Sequence, residues 1–255
     1  MDREPDGVEG LLPTEDADVE TASDGYARRF AGPIGAWFLE VQGRSVLDLL
    51  HDLPPGSTIL DVGGGHAQLT QPLVSAGYAV SVLGSRERSG DRLARQITAG
   101  QVRFDVGDLS CFPYADSSFD AALSVRLLPH HRWWRRLVSE LCRVARVCVI
   151  VDYPSIRSVN VLAAATFGLK RRVEGNTRPF RLFRPAEITD SFATAGFRVT
   201  DRRPQFLYPM VLHRMLRLPL LCRALEAPAH LLGLRYLFGS PIIVRADRLS
   251  AHDRG

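Results

Sequence analysis

Residues 59–67 read Ile59-Leu60-Asp61-Val62-Gly63-Gly64-Gly65-His66-Ala67, an apolar run that ends in three consecutive glycines. Residues 58–62 predict a buried strand, and residues 68–76 predict a helix after the glycines. Glycine permits positive φ and lets a ligand approach the backbone, while the first turn of a helix presents free N–H groups. The segment therefore predicts a ligand-binding turn at the carboxyl end of a strand.

The same alternation of strands and helices continues after this turn. The sequence predicts helices over 87–97, 131–145 and 185–195, and further strands over 79–83, 102–106, 119–125, 147–152, 197–201 and 241–246. Strands that alternate with helices at this spacing indicate βαβ units and a parallel sheet. We therefore expect an α/β fold with a single main domain over residues 25–255.

Several segments lie outside this alternation. Residues 1–24 hold nine acidic residues, one basic residue and no aromatic residue, which predicts a disordered acidic leader. Helical cap elements are expected over about 25–50, 155–184 and 207–238. The last is rich in leucine and arginine, and it is expected to pack on the sheet, to roof an apolar pocket or to make peripheral contact with a membrane.

Charge and cysteine content limit the function classes. The net charge is +4, and without the acidic leader the chain carries about +12, almost all of it arginine. Such a surface either binds an anion or is simply solvated, and we expect no nucleic acid partner. The four cysteines form no Cys-x-x-Cys pair, so we expect no metal site. Neither a signal peptide nor a long apolar span is evident, which predicts a cytoplasmic protein.

The glycine turn is compatible with two cofactor classes. A dinucleotide site requires a third glycine, and Gln68 occupies that position. An acid at Asp61 is also poorly placed beside a diphosphate, whereas it suits a cofactor with a cationic amino group. A nicotinamide-dependent oxidoreductase is therefore the weaker interpretation.

This combination closely resembles motif I of the class I S-adenosylmethionine-dependent methyltransferases. The resemblance continues in order through residues 57–152, in the segments Gly107-Asp108-Leu109, Pro113-Tyr114-Ala115-Asp116-Ser117-Ser118-Phe119-Asp120, Ser124-Val125-Arg126-Leu127-Leu128-Pro129-His130 and Glu140-Leu141-Cys142-Arg143-Val144. It implies a Rossmann-like, three-layer α/β/α fold with a seven-stranded, mostly parallel sheet of order 3-2-1-4-5-7-6.

The resemblance also implies where the cofactor lies and what the reaction is. S-adenosylmethionine would bind over the three glycines, with Asp61 near its amino group and Asp108 near its adenine. The other implied cofactor-binding residues are Gly63, Gly64, Gly65, His66, Ser85, Leu109 and Arg126. The expected reaction is methyl transfer to a small molecule, hydrophobic or lipid-like in character.

One departure from the family pattern bears on function. The family ends its second strand with an acid that holds both ribose hydroxyls, and the alignment places Gly84 there. Either Ser85 or Glu87 substitutes for that acid, or the register of the alignment shifts by one residue. A non-catalytic protein on the same fold, which binds a membrane or a partner, is therefore the alternative to an enzyme. Ala67 in place of a glycine and a missing Pro-Gly turn before the fifth strand are smaller departures.

Two residues are the candidates for catalysis. His130 follows the fourth strand and is interpreted as a base or as a group that positions the acceptor. Tyr153 follows the fifth strand and is expected to touch the substrate. In addition, Arg178, Arg181 and Arg184 alternate with Phe180 and Phe183, a pattern typical either of an anion contact or of an amphipathic lid edge.

Overall fold

The computed structural model describes residues 16–158 and 181–250. Its strands are β1 (Thr58–Val62), β2 (Ala79–Gly84), β3 (Val102–Val106), β4 (Phe119–Ser124), β5 (Ala145–Tyr153), β6 (Phe197–Pro204) and β7 (Ile242–Arg248). They form one sheet in the order β3-β2-β1-β4-β5-β7-β6. Strands β1 to β5 pair in parallel, and β7 runs antiparallel to both β5 and β6. The predicted sheet and its strand order are confirmed.

Helices lie on both faces of the sheet and at its edges. They are α1 (Ala17–Thr21), α2 (Asp24–Ala27), α3 (Gly32–Leu49), α4 (Thr70–Ser75), α5 (Ala94–Thr98), α6 (Trp134–Val144), α7 (Pro185–Thr194), α8 (Met210–Leu216), α9 (Pro219–Leu231) and α10 (Leu234–Phe238). The predicted helix over 87–97 is instead a 3₁₀ run over 87–93 followed by α5. Ser89 and Gly90 lie inside that run and have low helix propensity, which favours the tighter turn.

The core has two layers because neighbouring strand residues point to opposite faces of the sheet. Leu60 packs with α6 and α7, whereas its neighbour Ile59 packs with α3 and α4. In β5, Val149 and Ile150 divide in the same way. This arrangement is the three-layer α/β/α architecture that the sequence predicts.

The end of the acidic leader is ordered, contrary to expectation. Residues 16–24 include α1, and Ala17, Asp18 and Thr21 are buried there. Composition indicated disorder because the segment is acidic and short of apolar residues, but these three side chains are covered by distant parts of the chain. Residues 1–15 lie outside the described residues.

The helical cap is built from two separated segments. Helix α3 packs against the insertion between β6 and β7 through a cluster of Ile34, Trp37, Phe38, Phe206 and Cys222. The insertion comprises α8, α9 and α10. Of the cap element expected over 155–184, residues 159–180, with Arg178 and Phe180, lie outside the described residues. Within the described ranges, no helix combines the length and apolar character needed to cross a membrane.

Candidate active site

The glycine turn follows β1, and its backbone conformation is one that residues other than glycine adopt with difficulty. Gly63 has a φ of +73°, in the left-handed region. A Cβ on Gly64 would lie 2.0 Å from Oδ2 of Asp61, so the backbone there folds directly over that carboxylate. A 3₁₀ turn over Gly64–His66 comes next, and α4 begins only at Thr70, two residues later than predicted.

Asp61 is the most unusual ionisable group of the turn. Its side chain is completely buried, and neither carboxylate oxygen has a hydrogen-bond partner among the described residues. Burial raises the pKa of this carboxyl to about 7. Buried polar atoms in proteins are almost always paired, so an unpaired carboxylate beside a glycine turn indicates that a ligand supplies the missing donor.

His66 fixes the turn to the neighbouring strand. Its Nδ1 accepts a hydrogen bond from the backbone N of Gln68 at 3.2 Å, which leaves the proton on Nε2. Nε2 lies 3.3 Å from the carbonyl oxygen of Val125 and donates to it. Burial, followed by the charge of Arg126, lowers the pKa of His66 to about 4, so the ring is neutral at physiological pH. The predicted role of His66 in cofactor binding stays a prediction.

The end of β2 contacts a residue that is absent from the sequence-based predictions, Asp18 of α1. Ser85 is buried, and both its backbone N and its Oγ donate to the carboxylate of Asp18, at 2.9 and 2.5 Å. Asp18 lies on α1 and is 0% exposed. Nothing in the local sequence distinguishes Asp18 from the other acids of the leader, because the contact joins positions 67 residues apart.

The end of β3 carries the predicted pair Asp108 and Leu109. Leu109 is buried in the core, whereas Asp108 is exposed and its Oδ1 accepts a hydrogen bond from the backbone N of Ser110 at 2.7 Å. Burial lowers the pKa of nearby His131 to about 4, although the charges of Asp108 and Asp18 act in the opposite direction. These three side chains therefore interact electrostatically at one edge of the sheet.

Arg126 and Asp152 join the ends of β4 and β5. The backbone N of Arg126 donates to Oδ1 of Asp152 at 2.6 Å. The Arg126 side chain donates to Oε1 of Gln42 and lies over the ring of Phe30, 3.8 Å from its centroid. Its buried Nη1 has no hydrogen-bond partner among the described residues. Burial raises the pKa of Asp152 to about 6, against the effect of Arg126.

A cavity of about 360 Å³ opens between these strand ends and the cap. Its apolar wall comes from α2, the 3₁₀ turn Arg28–Phe30, α3 and the insertion, through Tyr26, Phe30, Phe38, Phe206 and Met210. Its charged or titratable wall comes from Arg126, His130 and Asp152. His66 and Arg126 connect the glycine turn to the cavity. His66 hydrogen-bonds to Val125, and the residue after Val125, Arg126, lines the cavity.

The two catalytic candidates are placed differently. His130 lines the cavity, where the sequence analysis put it. Tyr153 does not; it is 1% exposed and packs in the core beside Phe183. Side chains alternate along a strand, so Asp152 faces the cavity and Tyr153 faces away from it. The expectation that Tyr153 touches the substrate is therefore corrected.

The described part of the arginine–phenylalanine segment belongs to the fold. Phe183 is fully buried against Trp134, with ring centroids 5.1 Å apart. Arg181 pairs with Glu187 at 2.6 Å. Between the two interpretations, these contacts favour the amphipathic edge over an anion contact for residues 181–184.

Comparison with known proteins finds similarity to methyltransferases in sequence and in fold. The model of a methyltransferase-domain family matches residues 59–148. Over 97 residues the chain is 32% identical to O-methyltransferase cnsE of Penicillium expansum, a match that covers 36% of this chain and 35% of that protein. The matched region thus spans about a third of the length of this curated relative.

Solved structures resemble nearly the whole chain. Magnesium protoporphyrin IX methyltransferase (ChlM) from Synechocystis PCC 6803, with bound S-adenosylhomocysteine, has a TM-score of 0.63 and 17% identity, covering 90% of this chain and 96% of that one. A methyltransferase from Thermotoga maritima has a TM-score of 0.59 and 17% identity, covering 91% and 99%. At these identities the likeness supports the fold. Residues 59–148 thus match a methyltransferase-domain family, and the fold is that of solved S-adenosylmethionine-dependent methyltransferases.

Proposed function

We propose that the protein transfers a methyl group from S-adenosylmethionine to a small, largely apolar acceptor. The observation that carries this proposal is Asp61, a buried carboxylate with two unpaired oxygens beneath a glycine turn. Such a group fits a cofactor with a cationic amino group. Similarity to relatives that are methyltransferases supports the same conclusion.

The residues of the turn fit the predicted cofactor. Asp61 would bind its amino group, the glycine backbone would line its amino-acid portion, and Asp108 would hold its adenine. When bound, the cofactor supplies a methyl group attached to a positively charged sulfur. The contribution of the chain is to align this group with the acceptor and to exclude water, which accounts for much of the rate in a displacement of this kind.

The cavity supports a class of acceptor. Aromatic and aliphatic side chains form most of its wall, and the unpaired Nη1 of Arg126 offers one donor. An acceptor with an apolar body and one oxygen-bearing group fits both features. His130 and Asp152 line the same cavity and are the groups placed to take a proton from an acceptor hydroxyl. The similarity to an O-methyltransferase also favours an oxygen acceptor.

Thermal unfolding with added ligand tests the cofactor assignment. S-adenosylhomocysteine is expected to raise the unfolding midpoint of the wild type, and NAD is expected to leave it unchanged, because only a ligand that binds the folded state stabilises it. Gly64→Val should abolish the shift, since its Cβ would meet Asp61. Gly25→Ala is the matched control, because its Cβ would have its nearest neighbour at 3.8 Å. A wild type that ignores S-adenosylhomocysteine would leave the non-catalytic alternative, and a shift with NAD would favour an oxidoreductase.

A methyl-transfer assay tests the acceptor class. Hydroxylated aromatic acids are compared with the same compounds already methylated on oxygen. We expect methyl transfer only to the free hydroxyls and a reduction of at least tenfold in Asp152→Asn or His130→Gln. Transfer to nitrogen compounds alone would overturn the oxygen preference while leaving the methyltransferase assignment in place.

Peripheral contact with an anionic membrane is a second proposal, carried by the outer surface of the insertion. Met215, Leu220, Leu231 and Leu232 are each more than 70% exposed, and further large apolar side chains of this segment are exposed beside them. Contiguous exposed apolar surface of this kind is unusual unless it binds something. We propose that this leucine surface, residues 211–238, inserts into the membrane interface.

An arginine hollow next to this surface supports an anionic membrane. Arg28, Arg29, Arg214 and Arg217 line it, and the described part of the chain contributes no acidic residue to its wall. Burial lowers the pKa of Arg214, and the charge of Arg29 lowers it further. An anion bound in the hollow would therefore relieve the repulsion between these two arginines. Each arginine near an acidic surface contributes about 1 kcal/mol of attraction.

Vesicle flotation tests the membrane proposal. The wild type should float with vesicles that contain phosphatidylglycerol and much less with neutral phosphatidylcholine vesicles. The double variant Arg214→Gln/Arg217→Gln and the double variant Leu220→Gln/Leu231→Gln should each lose flotation, whereas Arg136→Gln on the exposed side of α6 should not. Equal flotation of all four proteins, or no flotation of the wild type, would refute it.

A cytoplasmic location also stays a proposal, and fractionation of cells that express the chain would test it.

A further inference from the structure

The end of β2 has no room for a side chain at position 84. A Cβ on Gly84 would lie 2.8 Å from Cζ of Phe104 and 3.0 Å from Cβ of Ser89. The Phe104 ring comes from the neighbouring strand β3 and is held in the second core layer. An acid therefore cannot project from position 84 unless Phe104 moves.

Asp18 brings a carboxylate to this same place from another element. Its Oδ2 accepts from the backbone N of Ser85, the residue after Gly84, and its Oδ1 accepts from Oγ of Ser85. On its other side Asp18 approaches the glycine turn, because a Cβ on Gly63 would lie 3.5 Å from Cβ of Asp18. The carboxylate thus lies between the end of β2 and the glycine turn.

The hydrogen bonds to Ser85 orient the Asp18 carboxylate and leave part of its capacity open. An ionised carboxylate has about four acceptor positions. Ser85 uses one on each oxygen, so each oxygen retains one for a further donor. Two hydroxyls on adjacent carbons, as in a ribose, match two acceptor oxygens of one carboxylate. In related α/β folds an acid near the end of the second strand accepts hydrogen bonds from ribose hydroxyls.

We propose that Asp18 of α1 supplies the carboxylate that binds the ribose hydroxyls of the cofactor, with Ser85 as its positioning residue. This assignment rests on the proposed function. It makes α1 part of the cofactor site. It also gives a reason why Asp18 is buried, although it belongs to a strongly acidic segment. The ribose-binding group is then supplied from the N-terminal segment, and Gly84 is compatible with full cofactor affinity.

Calorimetric titration with S-adenosylhomocysteine tests the assignment. Asp18→Ala is expected to weaken binding by ten- to a hundredfold, the range for losing hydrogen bonds to a charged group. Asp18→Asn should weaken it less, and Ser85→Ala less again, because each retains part of the acceptor geometry. Glu20→Gln, an acid on the same helix, is the matched control and should stay within twofold of the wild type.

A change in the ligand distinguishes a contact between Asp18 and the ribose from a general effect of the Asp18 substitution on α1. The 2′,3′-dideoxy analogue of S-adenosylhomocysteine lacks both hydroxyls, so Asp18→Ala should weaken its binding by no more than twofold. If Asp18→Ala does not fold, the same ratio of affinities measured in Asp18→Asn decides the question.

The other outcomes have distinct meanings. Tighter binding by Asp18→Ala would show that α1 occupies the cofactor site and competes with the ligand, which overturns the assignment. Equal weakening for both ligands would also overturn it, because the hydroxyls would then not be the partners of Asp18. Failure of the wild type to bind S-adenosylhomocysteine would overturn the proposed function and this assignment with it, whereas binding that is indifferent to Asp18 would overturn the assignment alone.

Discussion

The glycine turn and the helical cap each bury a carboxylate, and the two carboxylates differ in their partners. Glu226 of α9 accepts hydrogen bonds from the backbone N of Leu207 and of Tyr208, both at 3.0 Å, and lies 2.9 Å from Nε2 of His213. Asp61 has no such partner among the described residues. Burial tends to raise the pKa of both, but in Glu226 the hydrogen bonds outweigh it and the net pKa is lowered.

This difference separates a carboxylate that is paired within the fold from one for which we propose a ligand. Glu226 ties the start of the insertion to α9, so its charge is used within the fold. The charge of Asp61 is unsatisfied in the absence of a ligand and costs stability. Burial of an acid therefore does not by itself indicate a functional site; the absence of donors around it does.

The largest expected effect is on stability, in Glu226→Ala. This change leaves one buried and one part-buried backbone N–H group and the buried His213 without their acceptor, so the free energy of unfolding should fall by about 3 kcal/mol. Denaturant unfolding followed by circular dichroism measures it. Glu40→Ala, which breaks exposed ion pairs with Arg44 and Arg223, is the control and should cost less than about 1 kcal/mol. Similar losses in the two variants would contradict the structural role of Glu226.

Asp61→Asn should weaken cofactor binding without reducing stability. S-adenosylhomocysteine should bind about a hundredfold more weakly, equivalent to about 2.7 kcal/mol, because the amino group loses its charged partner. The free energy of unfolding at pH 8 should stay the same or rise by about 1 kcal/mol, because a buried unpaired charge is removed. Titration calorimetry and denaturant unfolding measure the two quantities. A variant that loses stability along with affinity would indicate that Asp61 has a partner within the fold.

The pH dependence of binding should follow the raised pKa of Asp61. With a pKa of about 7, the carboxyl is mostly protonated at pH 6 and mostly charged at pH 8, so affinity for S-adenosylhomocysteine should rise by about tenfold over this interval. The affinity of Asp61→Asn should vary by less than threefold. A flat profile in the wild type would indicate that Asp61 is already charged at pH 6.

Stability should depend on pH in opposite directions for the two carboxylates. The unfolded chain releases the Asp61 proton near pH 4 and the folded chain near pH 7, so between these values Asp61 makes stability fall as pH rises. The pKa of Glu226 is lowered, so its contribution is present above the ordinary carboxyl pKa and is lost as pH falls below it. Comparing unfolding curves of each variant with the wild type from pH 3 to pH 8 separates the two contributions.

The smallest expected effect is on the outer surface of the cap. Leu220 is 77% exposed, so Leu220→Gln should change the free energy of unfolding by no more than about 0.5 kcal/mol. Cofactor affinity should also be unchanged. A loss above about 1 kcal/mol would show that another part of the chain covers Leu220, and the leucine surface would then not be available to a membrane.

Much of the fold was predictable because its signals are local. The bounds of β1 and β3 were predicted to the residue. β1 is largely apolar, β3 alternates apolar and charged residues, and turn residues flank both strands. The glycine turn was recognised from residue types at fixed spacing. The family resemblance gave the strand order, which periodicity alone does not provide.

One error concerned the direction of a side chain along a strand, and the other concerned a contact between residues distant in sequence. Tyr153 was placed in the site because it ends a strand that leads there, but the alternation along β5 turns its side chain into the core. The leader was expected to be disordered to its end because composition contains no information about what covers Ala17 or Asp18.

By itself, the sequence determined that Asp61 and the three glycines form a turn at the end of a strand of an α/β sheet, because turn chemistry depends on neighbouring residues. Only the tertiary structure decided that Asp61 lacks a partner among the described residues, that Glu226 has three, and that the carboxylate of Asp18 lies beside Ser85 at the end of β2. The physical reason is that a hydrogen bond between positions 18 and 85 depends on how the chain packs, and packing brings together side chains that no local pattern relates.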